Sequence, residues 1–373
     1  MVEFSRRVES VSISGIREVF EAAGSEAINL GLGQPDFPTP EHARAAAVEA
    51  IETGKADAYT SNFGTESLRD AIREKHARDN DLDVSREQVI ATAGGSEALH
   101  LALEAHVDSG DEVLHPDPGF VSYSALTKLA GGTPVSVPLR DDLTLSPAAV
   151  EERITPDTAA IIINSPANPT GAVQPPSDMR AFARIADEYD VLLISDEVYE
   201  QIVFEGTHRS PMEFADSDNV VVINAASKTY SMTGWRLGWV VASEARIERM
   251  LRVHQYIQAC ASAPAQHAAE AALRGPQEQV EDMVEAFETR RDVLRSGLED
   301  MGLSVPEPRG AFYVMPEVPA GWVDAVIERG VIVVPGSAFG DAGSGYARIS
   351  YATDLETIRE ALDVMRDATQ AVS

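Results

Sequence analysis

Between about residue 86 and residue 242 the chain alternates short apolar runs with stretches whose apolar positions recur every three or four residues. The short runs are QVIATAG, DEVLHPD, TAAIIINSP, VLLISDEVY, VVVINAAS and LGWVVAS, punctuated by Gly, Pro, Asn, Asp and Ser. Apolar runs of that length, rich in Val and Ile and closed by turn residues, predict buried strands. SEALHLALEAHV, FVSYSALTKLAG and DMRAFARIADEYD lie between them and carry the helical period. Strands and helices in alternation predict an α/β fold with a mostly parallel sheet covered by helices on both faces.

After residue 243 the pattern changes. EQVEDMVEAFETRRDVLRSGLEDMG reads as a long amphipathic helix, short strands follow in GAFYVMP, VIVVPG and YARISYA, and a helix closes the chain near residues 354 to 370. This order predicts a smaller α+β domain. The first 30 or so residues lie outside the sheet pattern and are assigned to that small domain, giving a large domain over residues 36–270 and a small one from 1–35 and 271–373. No internal repeat or disordered linker interrupts the pattern.

At 373 residues the chain is long enough for two such domains and a sizeable core. Asp and Glu number 60 against 30 Lys and Arg, a formal net charge of -30. A surface of that sign repels nucleic acid and anionic membranes, so neither is expected as a partner. Only four of the basic residues are lysines: Lys55, Lys75, Lys128 and Lys228. Dispersed acid with scarce lysine reads as adaptation to a salt-rich cytoplasm, where ions screen the self-repulsion, as in a halophile. Cys260 is the only cysteine, which excludes an intrachain disulfide, and no Cys/His group has zinc spacing, so no metal is expected. MVEFSRRVESVSISG lacks the apolar core of a signal peptide and no run approaches the ~18 residues of a membrane span, so a cytoplasmic location is expected.

Ligands of open α/β sheets bind beyond the carboxyl ends of the strands. Three polar punctuations stand at such ends: NSPANPTG after AIII, Asp196 after VLLIS, and SKT after VVVINAA. Lys228 is not a phosphate-loop lysine, because Ser227 and Val222 occupy the required glycine positions. GLGQPD fails as a dinucleotide fingerprint, since Asp36 replaces the third glycine and Pro35 blocks the helix. A lysine at a strand end can instead be a Schiff-base lysine for a carbonyl cofactor, activated by partial desolvation. The competing reading is a solvated loop lysine, weakened here because surface lysine has almost vanished. Asp196, a carboxylate closing a buried strand, needs a cation, and a protonated pyridine nitrogen would supply one. Asp with a Schiff-base Lys is the pairing expected for pyridoxal 5'-phosphate. ATAGGSEAL leads from strand through Gly94, Gly95 and Ser96 into a helix, presenting N–H groups and the positive dipole end to a phosphate. Arg236, just before the strand LGWVV, can add a forked contact to the same anion.

With these residues in register the chain resembles the fold type I pyridoxal-phosphate enzymes, specifically the class I aminotransferases of the aspartate and aromatic kind. The resemblance runs from SRRVESVSISGIRE to ARISYA, through GLGQPDFPTP, AYTSNFGTESLR, AGGSEAL, PDPGFVSY, NSPANPTG, SDEVYE, SKTYSMTGWRLG and GAFYV. It implies that Lys228 carries the cofactor and, once released, is the base that moves a proton from the substrate Cα, while Asp196 keeps the pyridine nitrogen protonated. It implies that Asn168 and Tyr199 hydrogen-bond the ring's phenolic oxygen, that Phe120 stacks on the ring, and that Gly94, Gly95, Ser96 and Arg236 hold the phosphate. Tyr59 would reach the phosphate across a dimer interface, so the resemblance implies a homodimer with shared active sites. Arg348 would grip the substrate's α-carboxylate, aided by the Gly33 backbone and the Asn168 amide. The implied reaction carries an amino group from an L-amino acid, aspartate first and an aromatic amino acid second, to a 2-oxo acid such as 2-oxoglutarate. A lyase acting on a sulfur-containing amino acid is the alternative on the same fold.

The sequence departs from the family pattern in two places. Some relatives carry S-x-S-K at the lysine, whereas Ala225 stands at the first serine here. No second arginine for a side-chain carboxylate can be placed, and the SISGIRE segment, with Ile13 and Ile16, suits apolar or aromatic side chains and a lid over the substrate.

Overall fold

Six anticipated apolar runs and one unanticipated segment build a seven-stranded sheet in the computed structural model of the chain, which describes residues 4–13, 15 and 27–372. The strands are β1 (Val89–Thr92), β2 (Glu112–Asp117), β3 (Thr133–Pro138), β4 (Thr158–Asn164), β5 (Leu192–Asp196), β6 (Val220–Ala225) and β7 (Gly238–Val241). Their spatial order is β1-β7-β6-β5-β4-β2-β3. Pairs from β6 to β3 are parallel, and β7 runs antiparallel to both β6 and β1. The unanticipated strand is β3, TPVSVP. Two prolines remove ladder donors and all but one of its residues are exposed or half-exposed, so it lacks the buried-strand signature and is tolerated only at the sheet edge.

Successive residues of a strand face opposite sides, and the two faces bury separate apolar layers. Val89, Ile161, Leu193 and Val222 point into one layer, with Phe182 of helix Pro176–Tyr189. Ile90, Ile162, Ile194 and Ile223 point into the other, against α1 (Gly95–Glu104), which supplies Leu101, and α2 (Ser122–Ala130), which supplies Tyr123. Continuous Ile/Val runs are therefore read as strands covered twice.

A third apolar cluster lies around α3 (Glu278–Asp300) and α4 (Leu355–Val372), with Phe287, Leu294, Trp322 and Met365 at its centre. It packs on a three-stranded antiparallel sheet of Tyr313–Val314, Ala347–Ser350 and Val334–Pro335. Ile28–Asn29 pairs in parallel with Val331–Ile332 and ties the early chain to this cluster. Tyr199, three residues past β5, is buried in the same cluster. The carboxyl edge of the large sheet therefore faces the third core, and the functional groups stand in that gap.

Candidate active site

The sheet register brings the chemistry together before any side chain is considered. Asn164 pairs with Asp196 and Asp196 with Ile223, so β4, β5 and β6 end side by side. Ala225 and Thr92 both lie opposite Gly238, because the reversed β7 enters the sheet at the edge where β1 and β6 leave it. Lys228 follows β6 in the single helical turn Ala226–Thr229, and Arg236 precedes β7.

Lys228 donates from Nζ to the carbonyl of Gly33 at 2.6 Å and lies 5.7 Å from the Tyr199 ring centroid. Its side chain is half-buried against the cavity wall, and that desolvation, with Arg348 and Arg236 adding positive charge, lowers its pKa to about 8. Asp196 is buried at the end of β5, and desolvation raises its pKa to about 6 against the pull of hydrogen bonds from Tyr123 and Val198. The Tyr123 hydroxyl donates to Asp196 Oδ2 at 2.8 Å.

Arg348 is buried in strand Ala347–Ser350, between the rings of Tyr313 and Phe339 at 4.6 and 4.7 Å. Nη1 donates to Asn168 Oδ1 at 2.9 Å, Nη2 donates to the carbonyl of Gly31, and the buried Nε has no partner. Asn168 is held in turn by its backbone N–H on Asn164 Oδ1 at 2.7 Å. The hydroxyls of Tyr199 and Tyr313 lie 2.9 Å apart.

Gly94 has φ 84°, and a Cβ there would come within 2.5 Å of Arg236 Nη2. Glycine is required at that step for both backbone and space. Helix α1 begins at Gly95, leaving its first N–H groups beside the Arg236 guanidinium.

A cavity of about 310 Å³ collects these groups. Of the residues singled out in the sequence, Gly33, Gly95, Ser96, Phe120 and Asn168 line it. So do Asp196, Tyr199, Lys228, Arg236 and Arg348. Gly94 stands behind Arg236, and Tyr59 lies outside with 89 % of its surface exposed. Ile13 is exposed, and Ile16 lies outside the described residues. Sequence reasoning missed Tyr123, Asn164 and Tyr313, which also line the cavity. Tyr123 and Tyr313 sit inside the quoted motifs PDPGFVSY and GAFYV, and that is the signal by which they were open to discovery.

The residues fit a phosphorylated pyridine aldehyde. A half-buried lysine of lowered pKa can react with a carbonyl, a buried carboxylate of raised pKa lacks a cation, and a glycine cradle with an arginine suits a phosphate. Arg348, whose guanidinium keeps one buried N–H without a partner, lines the same cavity and suits a substrate carboxylate.

Directly behind Asp196, Glu197, Glu200 and His208 form the one cluster of possible metal ligands among the described residues. Its charge is already met. Glu200 accepts from Lys75, Asn80 and Asn224, while Glu197 accepts from Ser195, Ser210 and His208. Lys75 is 2 % exposed, so the ammonium stands where a metal ion would otherwise be needed.

Comparison with known proteins agrees with this geometry. Residues 25–365 match the family described as aminotransferase class I and II. A probable aspartate aminotransferase of Methanocaldococcus jannaschii is 44% identical, covering 97% of this chain and 99% of the relative. Aromatic-amino-acid aminotransferase 2 of Thermococcus litoralis is 41% identical, covering 97% of each chain. The solved aspartate aminotransferase of Thermus thermophilus with maleate superposes with a TM-score of 0.94 at 38% identity, over 99% of this chain and 100% of that one.

Proposed function

We propose substrates and residue roles from the premise that the chain belongs to the class I and II aminotransferase family. It is a pyridoxal-phosphate-dependent transaminase that moves the amino group of an amino acid to a 2-oxo acid, and its relatives do not favour the lyase alternative. Aspartate is the first donor and an aromatic amino acid the second, with 2-oxoglutarate as acceptor. Relatives named for aspartate and for aromatic amino acids support the order.

The observation that carries the assignment is Lys228, half-buried and of lowered pKa, in one cavity with a buried arginine that has an unpartnered Nε. The cofactor supplies an electron sink that makes the substrate's Cα–H acidic and a carrier for the amino group. Arg348 binds the α-carboxylate, with Asn168 and the Gly33 backbone fixing its direction, so that Cα is presented toward Lys228. Lys228, with a pKa of about 8, is partly neutral near neutral pH and takes the Cα proton at Nζ. Asp196 holds the ring nitrogen's proton, its Tyr123 bond stabilising the charged carboxylate. Asn168 and Tyr199 serve the phenolic oxygen, Phe120 covers the ring face, and Gly94, Gly95, Ser96 and Arg236 hold the phosphate.

Tyr59 completes the site from a second copy. It is 89 % exposed, and Tyr256 and Ile257 are 85 % and 51 % exposed. Exposed aromatic and aliphatic side chains of that size suit a homodimer interface. A large domain over 36–270 and a small one over 1–35 and 271–373, a cytoplasmic location and halophilic adaptation complete the proposal. Among the described residues no helix is long and apolar enough to cross a membrane.

The test is the absorption spectrum of the purified holoenzyme after adding single amino acids without acceptor. The cofactor band should shift with aspartate or an aromatic donor and return when 2-oxoglutarate is added. A spectrum unmoved by every donor would overturn the assignment.

A further inference from the structure

The lysines of this chain are accounted for one by one. Lys228 reaches Gly33, Lys75 is buried against Glu200, and Lys55 pairs with Glu49 at 3.0 Å. The Lys128 ammonium alone has no hydrogen bond or ion pair among the described residues, in a chain with 60 acidic residues.

Lys128 lines a second cavity, of about 520 Å³, between helix α2, strands β2 and β3, segment 337–341 and residues 11–13 and 15 of the early chain. The same cavity is lined by the hydroxyl residues Ser12, Ser122, Ser124, Ser136 and Ser337, and no side chain of these five bonds to a described residue. His115, from the sheet floor, adds a further polar group. The Lys128 ammonium and five serine hydroxyls therefore gather on one recess with no side-chain hydrogen bond to a described residue, and the ammonium is a local positive point in a surface whose net charge of -30 otherwise repels anions.

The cavity also holds carboxylates. Asp117 and Asp341 line it, and Asp117 Oδ1 accepts from the backbone of Ala342 at 3.2 Å while Oδ2 has no partner. Apolar surface comes from Ile13, Val121, Pro134 and Phe339. A cation with hydroxyls, carboxylates and an apolar wall match the three parts of a free amino acid.

We propose that this cavity is a second small-molecule site, which takes a free α-amino acid as its zwitterion, the carboxylate on Lys128 and serine hydroxyls and the ammonium on Asp117 and Asp341. The cavity shares one wall with the catalytic cavity and touches a second catalytic group through Phe339. Phe120 lines both cavities, and Phe339 packs on the Arg348 guanidinium.

The experiment uses holoenzyme reduced with borohydride, which fixes the cofactor on Lys228 so that no amine can displace the lysine. Equilibrium dialysis then measures L-phenylalanine, phenylpyruvate and inorganic phosphate on the unaltered chain and on Lys128→Met and Arg348→Met. Phenylalanine should keep a site in Arg348→Met, lose it at least tenfold in Lys128→Met, and bind there at least tenfold tighter than phenylpyruvate or phosphate. Ser124→Phe, which fills the cavity from α2, should weaken the same binding. Binding lost only with Arg348→Met overturns the proposal, and equal binding of phosphate or phenylpyruvate reduces the cavity to a plain anion site and overturns the amino acid assignment. Cofactor lost on dialysis after reduction would speak against Lys228 as the anchor, a separate result read from the same samples.

Discussion

Lys228 and Asp196 carry opposite burdens that the pH dependence of stability exposes. In the protein stripped of cofactor, the folded pKa of Lys228, about 8, lies below the ordinary 10.5, so between those values the unfolded chain binds more protons. Stability contributed at Lys228 therefore rises with pH across that window. Asp196 behaves in the other direction: its folded pKa of about 6 lies above 3.8, so stability is lost as pH rises from about 4 to 6. Lys228→Met should make the stripped protein more stable at pH 7, by roughly 1–3 kcal/mol, and the gain should shrink by pH 10. Denaturant titrations at both pH values check this, and a gain independent of pH counts against the buried charge. Tyr123→Phe removes a donor to a carboxylate, worth roughly 1.5–3 kcal/mol. Cofactor binding, followed by fluorescence, should weaken roughly tenfold or more, and an unchanged dissociation constant would show that Tyr123 is not part of the site. The motifs around Tyr123 and Tyr313 were legible but the partners of these tyrosines were not, because 73 residues separate Tyr123 from Asp196 and 114 separate Tyr313 from Tyr199. A sequence motif marks the presence of such a tyrosine, whereas its partner is chosen by tertiary packing.

At the scale of elements, the segment Gly31–Phe37 is the joint between the catalytic groups and the third core. Its carbonyls at Gly31 and Gly33 accept from Arg348 and Lys228. Its far end is clamped by Arg290 of α3, which donates two bonds to Asp36 at 2.7 and 3.0 Å and packs on Phe37. Arg290→Lys keeps the charge and loses the fork, so KM for the donor amino acid should rise several-fold while kcat changes less. Equal losses in both would place the clamp in the chemical step instead. The strands behind this joint were legible because apolar runs buried on both faces have a distinctive length and composition, as β4 and β6 show. Strand β3 was not, since its prolines and its exposed or half-exposed residues erase that signal. The reversal of β7 was also invisible: its apolar run reads the same in either direction, and only the three-dimensional path through Arg236 sets it.

The whole molecule bears a charge of -30 that no single pair neutralises. Self-repulsion of that kind is long-range, and the screening length falls from about 10 Å at 0.1 M salt to about 3 Å at 1 M. The melting temperature should therefore climb by several degrees over that range, and a flat response would remove the reading of the surface as salt-adapted. Scarcity of lysine has another side, visible to a reagent rather than to an ion. An amine-directed label meets a surface on which Lys55 and Lys128 are the only open side-chain amines, with Lys75 sealed against Glu200. Lys228 joins them only while its Nζ is not tied up with cofactor. The number of labels per chain, read by mass, thus becomes a gauge of how much of the enzyme is charged with cofactor and whether the recess beside Phe120 is filled.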